Sequence, residues 1–263
     1  MLKILAVGDV VGSPGRRAAQ ALLPRLRTRL GIDFIVVNSE NSAGGVGVSP
    51  ETADELLAAG ADCLTNGNHT FSKREIISYF PNECRILRPG NYPEGTPGKG
   101  MGIFPAGSGR SVAVINLMGR SFMEPLDSPF RKADELIAEA RRRTSLILID
   151  FHAETTSEKL AFGYHVDGRV SAVVGTHTHV QTADERVTPA GTAYITDLGM
   201  TGPVNSILGV KPEIVLKKFL TQMPVRFEVA DGPVLLCGVV IEIDETDGKA
   251  VSIERIQEPF EGS

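Results

Sequence analysis

The sequence predicts an α/β fold. Short apolar runs alternate with amphipathic stretches from the first residue, small polar clusters follow several of those runs directly, and apolar residues make up 42% of the 263 positions. Runs of strand length, punctuated by Gly, Pro and capping residues and separated by helix-length segments, are what βαβ units look like in sequence. An α/β chain of this size commonly folds as one unit, so residues 1–263 are expected to form a single domain. Charged residues at 22%, with neither an internal repeat nor a low-complexity tract, exclude a disordered chain.

Residues 3–7 (KILAV) read as the first strand, and residues 14–30 as the helix that follows, with Pro14 at its start and Gly31 just past its end. Residues 34–37 (FIVV) form the second strand. Ser49-Pro50-Glu51-Thr52 then opens a helix with a capping hydroxyl, Pro at the first helical position and an early acid. Residues 61–65 make a third strand, and residues 112–117, 146–149, 172–174 and 193–195 give further short apolar strands, with a charged helix over 130–143 among them. The end of the chain changes character: residues 225–229, 234–243 and 250–256 are strand-like, and Thr246-Asp247-Gly248 supplies a turn, so an antiparallel edge is expected. Pro and Gly are dense over residues 89–109, which predicts an irregular excursion across one face.

The charge of -5 argues against an extended nucleic-acid surface, which needs clustered cations to neutralise many phosphates. The densest cluster, Arg141, Arg142 and Arg143, closes a predicted helix, where cations complement the helix dipole. No apolar run approaches the roughly 18 residues of a membrane span, and the N-terminal run is too short for a signal-peptide core. Cys63, Cys84 and Cys237 are odd in number and irregularly spaced, which points away from a disulfide framework and towards the cytoplasm. Cys63 and Cys84 are expected in the core.

Chemistry collects at five places, each directly after an apolar run: Gly8-Asp9, Asn38-Ser39-Glu40-Asn41, Asn66-Gly67-Asn68-His69, Asp150-Phe151-His152, and Gly175-Thr176-His177-Thr178-His179. Strand C-terminal ends are where ligands bind in open α/β sheets, because the loops leaving them converge on one crevice. Four of the five histidines fall in these clusters. His165, beside the turn Asp167-Gly168, reads as structural or surface-lying. Carboxylate, amide oxygen and imidazole without thiolate suit Mn, Fe or Zn rather than a structural zinc cage. Asp9, Glu40, Asn41, Asn68, His152, His177 and His179 are more donors than the three protein ligands of a single catalytic zinc, so two ions fit better, with Glu40 able to bridge.

Two divalent ions over two carboxylates and one hydroxide keep a net charge of about +1, which attracts phosphate, and paired ions clamp the oxygens of an in-line displacement. Each residue also has a plainer explanation: Asp9 as a turn residue, Asn41 and Asn68 as caps. Alternate residues of a strand face opposite ways, so His177 and His179 reach one site only if the chain leaves strand geometry after Val174, and Gly175 permits that turn. The run Ala43-Gly44-Gly45-Val46-Gly47 either brings backbone N–H groups to a phosphate or simply lets Glu40 and Asn41 reach the ions.

Gly8-Asp9, Glu40 at the second strand end, Gly67-Asn68-His69, His152 and the final Gly-Thr-His-Thr-His, in that order, resemble the calcineurin-like metallophosphoesterases. The longer stretches GDVVGSPGR, NSENSAGG, NGNHTF, NLMGRSFM, DFHAETTSEK and GTHTHVQTAD, from residue 8 to about residue 184 and extended by TDLGMTGP, resemble the YmdB-like branch, phosphodiesterases acting on 2′,3′-cyclic nucleotides. The resemblance implies a four-layer αββα sandwich with mixed sheets and a dinuclear iron or manganese centre. Asp9, Asn41 and His179 would surround one ion, Asn68, His152 and His177 the other, and Glu40 would bridge. It also makes a homo-oligomer plausible. Val11 stands where the wider superfamily has a His, so Asn41 is the expected replacement ligand, and Glu40 takes the place of a bridging Asp.

His69 follows a ligand and is therefore expected to face substrate, stabilising the transition state or protonating the leaving oxygen. Thr70 occupies the position where the superfamily often has an acid that orients this His. The expected chemistry is hydrolysis of a cyclic nucleotide phosphodiester by a metal-bridging hydroxide. The alternatives are a phosphomonoesterase or nucleotidase with the same ions, and a regulatory protein that binds metal and nucleotide with little turnover. A serine hydrolase is excluded by the lack of a Gly-x-Ser-x-Gly elbow.

Overall fold

A computed structural model describes residues 1–261, with Ser108 described by its backbone alone; Gly262 and Ser263, part of the expected domain, lie outside the described residues. The strands are β1 (Leu2–Val7), β2 (Asp9–Val10), β3 (Phe34–Asn38), β4 (Cys63–Thr65), β5 (Met101–Pro105), β6 (Ser111–Met118), β7 (Ile147–His152), β8 (Ala172–Thr176), β9 (Arg186–Val187), β10 (Ala193–Ile195), β11 (Met200–Pro203), β12 (Val234–Ile243) and β13 (Ala250–Phe260). The helices are α1 (Gly12–Leu30), α2 (Pro50–Ala58), α3 (Ile76–Tyr79), α4 (Pro129–Ala140), α5 (Thr156–Val166) and α6 (Pro212–Thr221).

The strands form two mixed sheets. One runs β2-β11-β12-β1-β3-β4 with β13 added along β12, and the other runs β5-β6-β7-β8-β10-β9. Within the first, β1, β3 and β4 are parallel while β12 is antiparallel to β1, β11 and β13. Within the second, β6, β7, β8 and β10 are parallel, and β5 and β9 are antiparallel edges.

Side chains alternate across a strand, so a strand buried on both faces must be apolar at nearly every position and feed two different cores. That is what the strands do here. Leu5 and Val7 of β1, with Ile35 and Val37 of β3, join Ala18, Leu22 and Leu26 of α1 and Leu56 of α2 in one core. The intervening Ile4, Ala6, Phe34 and Val36 meet Val112, Val114, Leu148 and Val174 of the other sheet in a second. Ala113, Ile115, Ile149, Phe151 and Val173 face Ala133 and Ile137 of α4 and Phe162 of α5 in a third. Three cores separate four layers, the αββα sandwich with mixed sheets that the sequence resemblance implies. Ser49 caps α2 as expected, its hydroxyl accepting from Thr52 N–H.

Several expectations are corrected. Residues 225–229 form no strand; they are tied to the 207–211 segment by an isolated bridge between Val210 and Val229, flanking backbone bonds and the Lys211–Glu228 ion pair, because Ile207 and Val210 already bridge each other in a tight turn that offers no straight partner. The stretch 89–109 is irregular only in part, since Met101–Pro105 pairs with β6. Helix α4 stops at Ala140, leaving Arg141 as its C-cap and the other two arginines beyond. Cys84 is exposed, between the ion-paired Glu83 and Arg85, whereas Cys63 is buried as expected.

Candidate metal centre

The first sheet contributes Asp9 at the start of β2, Glu40 and Asn41 just past β3, and Asn68 and His69 past β4. The second contributes His152, the last residue of β7, and His177 and His179, just past β8. All converge at the edge where the two sheets meet. His152 Nε2 lies 3.1 Å from Glu40 Oε1, 3.0 Å from Asn68 Oδ1 and 3.0 Å from His177 Nδ1. The ligand atoms of Glu40, His152 and His177 all lie within 4.8 Å of one another. His179 Nε2 faces Asn41 Oδ1 at 3.3 Å, and Asp9 Oδ2 accepts the His177 N–H at 3.2 Å. Asp9 Oδ1 is fully buried with no hydrogen-bond partner among the described residues.

Two groups of donors result. Glu40, Asn68, His152 and His177 form one, and Asn41 and His179 form the other, with Asp9 bonded to the His177 backbone between them. An orphaned buried carboxylate oxygen costs stability unless something neutralises it, and so does a nest of acceptors with few protons to share. A cation resolves both, so the residues fit the metal that the donor chemistry implies.

Each of the three candidate ligand histidines is oriented by its other ring nitrogen, as ligating imidazoles are. His152 Nδ1–H donates to Thr176 Oγ1 at 2.9 Å, and the Thr176 hydroxyl donates on to Asp150 Oδ1 at 2.7 Å. His177 pairs through Nε2 with Glu154 Oε2 at 3.0 Å, leaving Nδ1 for the site. His179 Nδ1–H donates to the Leu208 carbonyl at 3.1 Å, leaving Nε2. Asp150, Thr176 and Glu154 were not among the expected site residues; Glu154 does stand two residues after His152 in DFHAETT, which is the signal that could have found it.

The loop carrying His177 and His179 leaves strand geometry through the histidines themselves, at φ 104° and 64°. Gly175 is not the turn. A Cβ there would sit 1.8 Å from the Thr196 carbonyl oxygen, so glycine is needed for close approach to the chain just past β10. Positive φ is strained for residues with a Cβ and persists only where the surroundings impose it. Here a buried ion pair does so: Lys159 Nζ donates to Asp197 Oδ2 at 2.6 Å and to the Thr176 carbonyl at 2.8 Å, and Asp197 Oδ2 accepts the Thr178 N–H at 3.1 Å. Gly67 serves the other side, since a Cβ would lie 2.2 Å from His152 Nε2 and 2.4 Å from Glu40 Oε2.

Burial pushes the Asp9 carboxyl up to about 6, against the pull of His179 and His152. Burial would also raise Glu40, but the charge and hydrogen bond of His152, with His69, hold it down to about 2. Burial opposes protonation of His152, yet Glu40, Asp9 and Asp150 outweigh it and raise the ring to about 9. Burial and the neighbouring His152 hold His177 down to about 3, so its lone pair is free at neutral pH. The carboxylates that keep a proton on His152 are those that would favour a cation in its place, and metal binding at such a site releases protons.

The glycine run folds back on itself: Ala43, Gly44 and Gly45 N–H groups donate to Gly47, Ser42 and Asn41 carbonyls, and the Asn41 amide donates to the Gly45 carbonyl at 3.0 Å. Those donors are used internally, so the run presents Asn41 rather than cradling phosphate. His69 N–H donates to Glu40 Oε2 at 3.2 Å, and its ring faces Asn68 Nδ2 at 3.4 Å. Thr70 does not orient it; its hydroxyl donates to the Gly67 carbonyl at 2.6 Å. His165 lies away from the centre, paired with Asp134 and packed edge-on against Phe130.

The family profile described as "YmdB-like protein" matches residues 5–256. The chain is 56% identical over 255 residues to a Bacillus subtilis protein named 2′,3′-cyclic-nucleotide 2′-phosphodiesterase, covering 97% of this chain and 96% of that one. Among solved structures, a hypothetical protein from Thermus thermophilus superposes with a TM-score of 0.92 at 40% identity, covering 98% of this chain and 99% of the other. A protein of Mycoplasma pneumoniae described as a novel phosphatase gives a TM-score of 0.92 at 36% identity, covering 99% and 94%.

Proposed function

The chain belongs to the YmdB-like family, and from that premise we propose that it is a metal-dependent phosphodiesterase hydrolysing cyclic nucleotides, 2′,3′-cyclic nucleoside monophosphates foremost. The observation that carries the proposal is the convergence of His152 Nε2 with Glu40, Asn68 and His177 around one point, beside the partnerless Asp9 oxygen. The Bacillus relative's name supports the substrate class. The catalytic unit is taken as one domain over residues 1–263.

Asp9, Asn41 and His179 would hold one divalent ion and Asn68, His152 and His177 a second, with Glu40 shared; iron and manganese suit this donor set. Such ions, when bound, supply Lewis acidity and charge neutralisation to an in-line displacement at phosphorus. The chain's own residues do the rest. Glu154, Thr176 and the Leu208 carbonyl fix the imidazoles so that no reorganisation is needed as charge develops. The His69 ring lies 3.4 Å from the Asn68 amide nitrogen, and it would face the departing ribose oxygen, stabilising its developing charge or, as the imidazolium, protonating it. In a 2′,3′-cyclic substrate that oxygen stays tethered, so the product is a nucleoside monophosphate.

Manganese-supported hydrolysis of 2′,3′-cyclic AMP by native protein and by Glu40→Gln tests this, with metal content and folding measured on the same samples. Turnover should collapse by at least about a hundredfold in the variant, as for loss of a principal electrostatic group. No turnover by fully metallated native protein would remove the cyclic-nucleotide assignment and favour a nucleotidase or a regulatory protein.

The proposal extends to a homo-oligomer in the cytoplasm. The three cysteines are free, and among the described residues no helix is long and apolar enough to cross a membrane. Helix α6 buries Val215 alone and exposes Leu216, Phe219 and Leu220, with Met223 just beyond.

A further inference from the structure

We infer that Phe122 is an aromatic platform on which the nucleobase of the substrate stacks. The inference rests on the proposed nucleotide chemistry and adds a subsite to it. Phe122, Met123 and Glu124 line a cleft of about 360 Å³ together with Asn68 and His177, two of the residues of the candidate centre. That volume lies within the roughly 300–1,000 Å³ of small-molecule sites.

Three features mark the ring as placed for a ligand. It is 93% exposed on the wall of that cleft, an apolar face open to a ligand. Its backbone sits at φ 60°, a left-handed conformation that is strained for a bulky residue and recurs where a site demands a particular presentation. Its loop is fastened rather than loose: Arg120 N–H donates to Glu158 Oε1 at 3.0 Å, Ser121 N–H to Glu158 Oε2 at 3.1 Å, and Gly119 N–H to the carbonyl of His152 at 2.9 Å. The last bond ties the loop to the backbone of a candidate metal ligand, so the ring is held in register with the centre. Glu124, on the same cleft, offers a carboxylate to base N–H groups.

A second cleft, of about 210 Å³, flanks the centre on the side of His69 and His179 and is walled by Val46, Leu208 and Phe227. It is the smaller of the two, and its ring is already occupied: Lys218 Nζ lies 4.9 Å from the centre of Phe227. Phe122 has a bare face. Base-on-aromatic stacking accepts any base, so the platform supplies affinity for nucleotides without dictating which one.

The sequence contains no tryptophan, so Phe122→Trp places a single fluorescent reporter at this point. With manganese-loaded full-length protein, adenosine 5′-monophosphate should quench that reporter while ribose 5-phosphate, which lacks only the base, should not. Phe122→Ala should bind the nucleotide about tenfold more weakly by calorimetry, with ribose 5-phosphate binding, metal content and melting temperature as in the native protein. Absence of quenching, or a Phe122→Ala variant that weakens both ligands equally or neither, overturns the platform. These readouts need no turnover: nucleotide binding through Phe122 without hydrolysis of 2′,3′-cyclic AMP would refute the reaction alone, and hydrolysis indifferent to Phe122 would refute the platform alone.

Discussion

Glu154 illustrates how a residue outside the expected donor set controls one inside it. Its carboxylate accepts from the His177 Nε2–H at 3.0 Å and so aims Nδ1 at the centre, while its own side chain is half exposed. Replacing Glu154 with Ala should therefore leave the fold intact and cost about 10–100-fold in manganese affinity, the usual effect of losing an outer partner of a ligating His. Calorimetric titration of the apo-protein measures this; unchanged affinity would show that His177 is not held through Glu154. The candidate donors that the structure brings together were legible in sequence because they are chemically distinctive and sit at strand ends, where an apolar run stops on an Asp, Asn or His. Their supports were not. Asp150, Thr176, Lys159 and Asp197 act through another residue, and nothing in a linear pattern tells a buried Thr that relays to a carboxylate from one that merely packs. Gly175 was legible as necessary but not for the right reason, since close approach to a carbonyl across the sheet depends on a contact 21 residues away.

At the scale of elements, α5 does for the His177 loop what β7 does for His152. Lys159, fully buried on α5, reaches across to Asp197 and to the Thr176 carbonyl, fastening the segment in which two histidines adopt positive φ. Removing one partner of a buried pair strands the other charge, which costs about 3–5 kcal/mol. Lys159→Met should lose stability of that order in urea unfolding, and the double variant Lys159→Met with Asp197→Leu should recover part of it; a loss under about 1 kcal/mol in the single variant would mean that the pair holds nothing in place. Sequence patterning found the two-sided strands and α1, whose apolar runs and caps are strong, and missed α5 and α6. In α5 the buried set includes Lys159 and Gly163 beside Phe162 and Val166, so no apolar stripe marks the helix. In α6 the apolar residues are mostly exposed, which breaks the link between hydrophobicity and burial on which such readings depend. The short strands β2, β9 and β11 have too few residues to show any period.

At the scale of the molecule, four layers with three separate cores explain why one edge can carry so costly a cluster of buried charge. Both sheets are covered on both faces, so the strand ends are rigid platforms, and the orphaned Asp9 oxygen and the strained histidines are sustained by packing far from them. The same accounting leaves α6 unexplained in a lone chain. Leu216 is 52%, Phe219 70% and Leu220 83% exposed on a helix of ten residues that buries only Val215. Contiguous apolar residues of this size on a surface mark an interaction site, and the proposed homo-oligomer gives them an occupant, a second copy of the chain. Native protein at micromolar concentration should then sediment as a multiple of 28.1 kDa. Phe219→Glu together with Leu220→Glu should shift it to the single chain, with manganese content unchanged because neither residue belongs to the metal-site donor set or its supports. A native chain that sediments as a monomer would sink the oligomer, and one that stays associated after both substitutions would move its interface off α6.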